Sequence, residues 1–219
     1  MTQAEVFFSR LYHGQTGVLE LRTFDHPQAN KLRTFISVKD GQFDFDPVYK
    51  FLNETERLQL GAFFGVALRT QAALKTFKGD AEHCQTLTAL FVDADFKHLG
   101  EAETRSRIEA YPQRPSMIVN SGGGLHPYWP MSFPIFLQGS GGMVRAKQLL
   151  QRIAKTVADV VDESVSEPVR VLRIPGSFNF KKHYDTPRPV TLEFVNDDDA
   201  PIITPHNSID DVFGGEEPE

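Results

Sequence analysis

Cysteine is almost absent from this sequence, since Cys84 is the only one in 219 residues. A single thiol excludes an internal disulfide framework and a cysteine-based zinc cluster. Long apolar runs are missing too: no stretch approaches the roughly 18 consecutive apolar residues that a membrane span needs. The N-terminal MTQAEVFFSR lacks the basic start and apolar core of a secretion signal, so we expect a cytoplasmic protein without a membrane partner.

Positive charge is missing from the C-terminal end of the chain. From Glu193 onward there are nine acidic residues and no Lys or Arg. Removing those nine negative charges from the net charge of −6 leaves +3 for residues 1–192, so the body is mildly basic. The acidic, proline-containing segment 196–219 is predicted to be a flexible tail or linker. The alternative interpretation is that this acidic segment mimics nucleic acid and covers a binding site on the basic body.

Apolar and aromatic residues are plentiful. Hydrophobic residues make up 40% of the chain and include 18 phenylalanines, which predicts a substantial core. No internal repeat occurs, and residues 1–85 mix short strand-like runs with a helix near 47–58, a pattern typical of an αβ unit. From about residue 86 the order becomes strand, helix, hairpin, helix and strand. This is the split βαβ order of an RRM-like unit.

The predicted topology brings several polar side chains together. Two right-handed crossovers place the first strand (TALFVDAD) beside the third (LHPYWPM) in the middle of the sheet, with the fourth strand flanking the first. Asp93 and Asp95 on the first strand share a face because they lie two residues apart, and so do His126 and Tyr128 on the third. We therefore expect His126 to face the same cleft as the two carboxylates.

Asp93 and Asp95 end a strand that is otherwise apolar. Two carboxylates on one face of such a strand do not ionise comfortably without a cation, and hard oxygen ligands suit Mg²⁺ or Mn²⁺. Asp162 is a candidate third ligand, because an acid at the end of the long predicted helix is poorly placed against the helix dipole unless a cation is near. Acidic residues also commonly close strands and helices without any metal, so the pattern alone leaves both interpretations open.

Glycines and basic residues frame this predicted cleft. The glycines of NSGGGLHPYW allow a tight turn with positive φ, and they do not match the Walker motif GxxxxGK[ST]. His126 is then either a half-exposed hairpin residue or a ligand of the cleft. Downstream, RVLRIPGSFNFKK contains Arg173, Asn179 and Lys181, and such a group near a carboxylate-bound metal suits a triphosphate. A charge run is more often only a solvated face.

Together, FVDADFK, NSGGGLHPYW and VDESVSEPVRVLRIPGSFNFK resemble, in order and spacing, the three motifs of the archaeo-eukaryotic primase superfamily. The closest likeness is to the primase-polymerases of phages, plasmids and mobile elements, and it is strongest over residues 86–192. The resemblance implies an α/β (α+β) primase catalytic core over residues 1–195. In it, an N-terminal αβ unit (1–85) packs on an RRM-like unit (86–195) with a mixed β-sheet.

The activity that the resemblance implies is template-dependent nucleotidyl transfer by a DNA primase or polymerase. Nucleoside triphosphates would be added to a 3′-hydroxyl on a single-stranded DNA template, with or without a primer and with a replicative helicase fused or in trans. Two divalent ions, Mg²⁺ or Mn²⁺, would be held by Asp93, Asp95 and Asp162. The residues implied in nucleotide binding are Ser121, His126, Arg173, Asn179, Lys181, Tyr128 and Arg69.

Two other classes of protein share an RRM-like fold. A Rep-type nicking endonuclease needs a His-hydrophobic-His metal pair and a nucleophilic tyrosine on a helix, but the sequence contains no His-x-His. A non-catalytic RRM-like module places aromatic residues on its two central strands for base stacking. In this chain the first of those strands carries Asp93 and Asp95, which repel phosphate unless a cation is bound.

Overall fold

The computed structural model describes residues 1–24, 32–139, 141–159 and 167–196. The helices in these ranges are α1 (Gln3–Leu11), α2 (Asp46–Arg57), α3 (Ala72–Thr76), α4 (Phe96–Leu99), α5 (Glu101–Ala110) and α6 (Gly142–Ala158). The strands are β1 (Gly17–Arg22), β2 (Thr34–Val38), β3 (Phe63–Gly65), β4 (Leu68–Arg69), β5 (Cys84–Phe91), β6 (Ala94–Asp95), β7 (Met117–Asn120), β8 (Gly124–Phe136), β9 (Val171–Arg173), β10 (Phe178–Asn179), β11 (Arg188–Pro189) and β12 (Thr191–Val195). The predicted third ligand, Asp162, and residues 197–219 of the predicted tail lie outside the described residues.

One large sheet organises the described part of the chain. Its strand order is β12-β7-β8-β5-β4-β1-β3-β9, with β2 paired to β1 and β6 paired to β8, while β10 and β11 form a separate hairpin. The α+β fold class is confirmed. The sheet is not mixed as expected, because every ladder among the described strands is antiparallel. The two strands joined by the first crossover, β5 and β7, are separated in the sheet by β8, which runs against both.

The central part of the predicted topology is confirmed and one edge is wrong. Strands β5 and β8 are neighbours, and β7 lies on the other side of β8. The fourth strand does not flank β5, because β4 from the N-terminal part occupies that edge and β12 pairs with β7 instead. The apolar run over residues 61–69 divides into β3 and β4, which lie on opposite sides of β1. The N-terminal part thus continues the same sheet.

Helix α1 lies within the curve of this sheet. Thr2 begins the helix through a capping box with Glu5, and the apolar side of the helix is completely buried. The Phe7 ring contacts Phe64 of β3 at 5.4 Å and Tyr128 of β8 at 5.0 Å between centroids. Since three strands separate β3 from β8 in the sheet, one ring can reach both only if the sheet bends around α1.

The opposite side of the sheet is covered by α5 and α6. Trp129 is fully buried there, with its ring 5.7 Å from that of Tyr111 and its indole N–H donating to the Gln113 carbonyl at 2.8 Å. Trp129 therefore belongs to the core. The strand alternation of β8 sends Trp129 towards these helices and its neighbours Tyr128 and Pro130 the other way.

Candidate active site

A cleft of about 940 Å³ opens where β5 and β8 approach the segment that contains β9 and β10. One wall carries the ends of β5 and β8, and the other is built from β9, the residues around β10 and part of the N-terminal unit. Most of the predicted site residues line this cleft: Asp93, Asp95, Ser121, His126, Arg173, Asn179 and Lys181. Asp93 and Lys181, which are 88 positions apart in sequence, thus meet at one place, as the predicted motifs require.

Asp93 is the electrostatic centre of the cleft. Its Oδ1 lies 3.2 Å from His126 Nε2, and its Oδ2 accepts a hydrogen bond from Arg170 Nη2 at 2.8 Å. Burial alone would raise the pKa of this carboxyl. The hydrogen bond from His126 and the nearby Arg170 guanidinium outweigh burial and hold the pKa of Asp93 well below its usual range. Asp93 is therefore ionised at neutral pH.

Asp95 lies two residues further along and has a local structural contact. As the N-cap of α4, its Oδ1 accepts the Lys97 backbone N–H at 3.0 Å, while its Oδ2 lies 3.5 Å from Lys97 Nζ. Both predicted carboxylates face the cleft, although each has a partner from the protein. A hard divalent cation would have to share these oxygens with the hydrogen bonds that they accept.

The glycine turn between β7 and β8 is held tightly in place. Gly122 has φ +79°, a conformation that favours glycine. Its N–H donates to Asn120 Oδ1 at 2.8 Å, and the Ser121 hydroxyl donates to the Gly124 carbonyl at 3.0 Å. A Cβ on Gly124 would lie 2.5 Å from the Ala94 carbonyl oxygen, which means that the turn packs directly against β6. The predicted hairpin is confirmed, and its glycines bring Ser121 close to the carboxylates.

The basic segment forms the facing wall. Arg173 is mostly buried, and burial lowers its pKa to about 10, so it stays protonated at neutral pH. Its Nη1 is buried and has no hydrogen-bond partner among the described residues. Asn179 is buried and donates from Nδ2 to the Ser121 carbonyl at 2.8 Å, which ties β10 to the glycine turn. Lys181 is exposed, and its backbone N–H lies 3.3 Å from Asn179 Oδ1, to which it donates.

Tyr128 and Arg69 do not reach the cleft, which corrects two predictions. The Tyr128 side chain is completely buried beneath α1, where burial raises its pKa well above the usual value. Its position follows from the packing of α1 on β8, which alternation along the strand does not reveal. Arg69 is also completely buried, and it donates to Glu20, to the Ala67 carbonyl and to Cys84 Sγ. It neutralises a buried carboxylate within the N-terminal part.

Two phenylalanines of the site were missed by the sequence interpretation, and Arg170 was recognised only as one of the basic residues of the downstream segment. Arg170 belongs to the predicted basic segment, but nothing in its spacing distinguishes it as the partner of Asp93. Phe24 and Phe63 line the cleft from the N-terminal part. Their position depends on the pairing of β3 with β1 and β9. These strands are distant in sequence, so no local sequence pattern predicts the pairing.

The described residues supply two of the three predicted metal ligands. No three His, Cys, Asp or Glu side chains of the described ranges form a cluster that could hold a metal ion. Asp93 and Asp95 nevertheless provide two carboxylates on one wall of a cleft, one of them kept ionised by its surroundings. This donor set fits the chemistry of Mg²⁺ or Mn²⁺. Further ligands would come from water, substrate or the undescribed residues, among which is Asp162.

Solved structures with this fold include primase domains. The archaeo-eukaryotic primase domain of the cyanophage S-2L primase-polymerase is similar, with a TM-score of 0.55 and 14% identity over 89% of this chain and 92% of that one. The primase RepB′ has a TM-score of 0.51 and 14% identity over 88% of this chain, which spans 56% of the RepB′ chain. No family model and no curated protein matches the sequence. At 14% identity these similarities confirm the predicted fold, and membership of the archaeo-eukaryotic primase superfamily stays a prediction.

None of the described helices combines the length and apolar character that crossing a bilayer requires. The cytoplasmic location and the domain boundaries at residues 85 and 195 stay predictions.

Proposed function

We propose that this chain is a primase-polymerase that adds nucleotides to a 3′-hydroxyl on a single-stranded DNA template. The observation that carries the proposal is the charge arrangement of the cleft. An ionised Asp93 and the nearby Asp95 line one wall, and Arg170, Arg173 and Lys181 line the other. Nucleotidyl transfer needs carboxylates for divalent ions and cations for phosphate oxygens within one site.

Asp93 and Asp95, with Asp162 as the proposed third ligand, would hold two Mg²⁺ or Mn²⁺ ions. When bound, such ions activate the attacking hydroxyl and neutralise the negative charge of the triphosphate. His126 keeps the Asp93 carboxylate oriented through the contact at Oδ1. An ion bound at Oδ2 of the same carboxylate would share that oxygen with Arg170, because a carboxylate oxygen has two lone pairs and Arg170 occupies only one of them.

The triphosphate would lie between the glycine turn and the basic wall. Arg173 is the best-placed fixed cation, since it remains protonated and its buried Nη1 lacks a partner among the described residues. Asn179 and Ser121 hold the two walls at a constant separation through their hydrogen bond. Lys181 and its exposed neighbour Lys182 are free to move towards phosphate groups of the nucleotide or the template.

A non-catalytic RRM-like module is the alternative that the geometry disfavours. Such a module stacks bases on exposed aromatic residues of its central strands. In this protein the central strands are β5 and β8. Their aromatic residues Phe91, Tyr128 and Trp129 are buried, and the exposed rings of Phe133 and Phe136 lie towards the end of β8 away from the cleft. The described central strands therefore present no exposed aromatic ring beside the cleft, which lies at their other end.

The test is incorporation of labelled nucleotide on a single-stranded template, with and without a primer, in Mg²⁺ or Mn²⁺. Each of Asp93→Ala and Asp95→Ala is expected to abolish extension and to leave the fold intact, because both carboxylates are partly exposed and lie at the end of the sheet. Glu109→Ala is the matched control, since Glu109 is exposed on α5 and does not line the cleft. Retained extension in either Asp variant would refute the metal assignment.

A further inference from the structure

Three neighbouring strands place a row of side chains next to one another, and the members on the side of β9 line the cleft. Arg22 of β1 pairs with Phe63 of β3, and Phe63 pairs with Arg173 of β9. Directly paired residues of antiparallel strands project to the same side of the sheet. Phe64, the next residue of β3, points to the other side and is completely buried against Phe7 and Phe8. Phe63 therefore faces away from the core.

The row consists of two aromatic rings and two guanidinium groups. The Phe24 and Phe63 rings meet edge to face, with centroids 5.0 Å apart and an interplanar angle of 71°. Arg22 Cζ lies 4.5 Å from the Phe24 centroid, and Arg173 Cζ lies 4.6 Å from the Phe63 centroid. We call Arg22, Phe24, Phe63 and Arg173 the aromatic row. Each ring thus has a positive charge beside it.

Both rings are partly exposed and line the same cleft as Asp93. Only five of the described phenylalanines are buried, so what distinguishes Phe24 and Phe63 is their position in the cleft beside two guanidinium groups. The face of a phenyl ring can stack on a nucleobase of any identity, because every base has a π-face. Guanidinium groups beside the rings can bind the phosphates that flank a stacked base.

We propose that the aromatic row binds an unpaired nucleobase by stacking, with a flanking phosphate held by Arg173, the arginine of the row that lines the cleft. The proposal rests on the proposed function, because it names where that function's substrate is held. The base belongs either to the single-stranded DNA or to the nucleoside triphosphate. Because both sources present the same chemistry, the experiment has one arm for each.

The DNA arm compares the affinity of the full chain for a labelled oligothymidylate and for an abasic oligonucleotide of equal length, by fluorescence anisotropy. The wild-type protein is expected to prefer the base-containing strand. If the stacked base belongs to the DNA, this preference should fall about tenfold in Phe63→Leu, in line with the loss of one stacked base. The affinity for the abasic strand should stay unchanged, because phosphate contacts do not depend on the ring.

The nucleotide arm compares the KM for nucleoside triphosphate in primer extension. A rise of about tenfold in KM for Phe63→Leu, together with unchanged base-dependent DNA affinity, assigns the stacked base to the nucleotide. If DNA affinity falls and KM does not, the base belongs to the template. If neither the preference for bases over abasic DNA nor the KM changes, the proposal is overturned.

The chain offers a matched control for this experiment. Phe35 meets Phe77 edge to face at 5.1 Å, and Arg33 Cζ lies 5.1 Å from the Phe35 centroid, outside the cleft. Phe35→Leu should therefore leave both arms at wild-type values. Phe24→Leu serves as the second variant should Phe63→Leu fail to fold, as judged by circular dichroism. The binding arm needs no catalysis, so absence of nucleotide transfer would refute the proposed function while the stacking proposal is still tested.

Discussion

The buried ion pair between Glu20 and Arg69 allows the structural role of Arg69 to be tested. Both side chains are completely inaccessible to solvent. Arg69 Nε donates to Glu20 Oε2 at 3.0 Å, and Nη2 lies 2.9 Å from the same oxygen, close enough for an ion pair but poorly aligned for a hydrogen bond. Arg33 contacts Oε1 at 2.6 Å and is only partly buried. Glu20→Gln preserves the shape of the side chain and removes its charge.

Removal of one partner from a buried ion pair typically costs about 3–5 kcal/mol, because an uncompensated charge remains inside the protein. We expect Glu20→Gln to reduce the free energy of unfolding by about this amount. The neighbouring Arg22 and Arg33 are themselves cations, so neither can neutralise the buried charge of Arg69. The double variant Glu20→Gln/Arg69→Met should recover part of the loss, as no buried charge then lacks a partner. Arg33 can turn its guanidinium towards solvent.

Urea unfolding followed by circular dichroism measures these differences. Arg57→Met is the matched control, because Arg57 forms an exposed ion pair with Glu54 on α2, and its unfolding midpoint should not change. A double variant as unstable as Glu20→Gln, or a loss below about 1 kcal/mol in Glu20→Gln, would refute the buried-pair argument. A raised nucleotide KM in a folded Arg69→Met protein would instead return Arg69 to the substrate site.

Two further expectations concern the cleft. His126→Ala should raise the apparent KM for nucleotide with less effect on template affinity, because His126 orients Asp93 deep in the cleft. An unchanged dependence of extension on nucleotide concentration would count against this role. The pKa of Asp93 is held below its ordinary value near 3.8, so its ionised form stabilises the fold above that pH, and the contribution is lost as pH falls through the lower folded pKa. In chelator-treated buffer, wild type and Asp93→Asn should therefore differ most in unfolding free energy above about pH 4 and converge in acid. A difference that grows in acid would contradict the sign of this shift.

Local chemistry explains what the sequence predicted well. The alternation of β8 separates Trp129 from its neighbours, and the amphipathic pattern over 146–161 predicts most of α6. The turn at Gly122–Gly124 needs glycine for reasons that are visible in the sequence alone. The spacing of Asp93 and His126 within their segments was sufficient to place both in one cleft once β5 and β8 were taken as neighbours.

Non-local packing explains what the sequence did not predict. Tyr128 alternates correctly with Trp129, but only the position of α1 decides that it is buried. Arg69 is a basic residue near a predicted strand end, and nothing local indicates that Glu20 is opposite. Likewise, the pairing of β4 with β5 depends on how the N-terminal residues dock, so the neighbour of β5 could not be read from the order of elements.

The continuous sheet has a consequence for how the chain can be divided. β5 is hydrogen-bonded on one side to β8 and on the other to β4. Removing the N-terminal part would leave β5 as an open edge in the middle of the molecule, and an uncovered edge invites pairing between chains. It would also remove α1 from beneath Tyr128 and expose that ring. The segment that carries the motifs is therefore shorter than the part of the chain that must fold as one unit. A protein truncated to the motif-bearing segment is expected to aggregate.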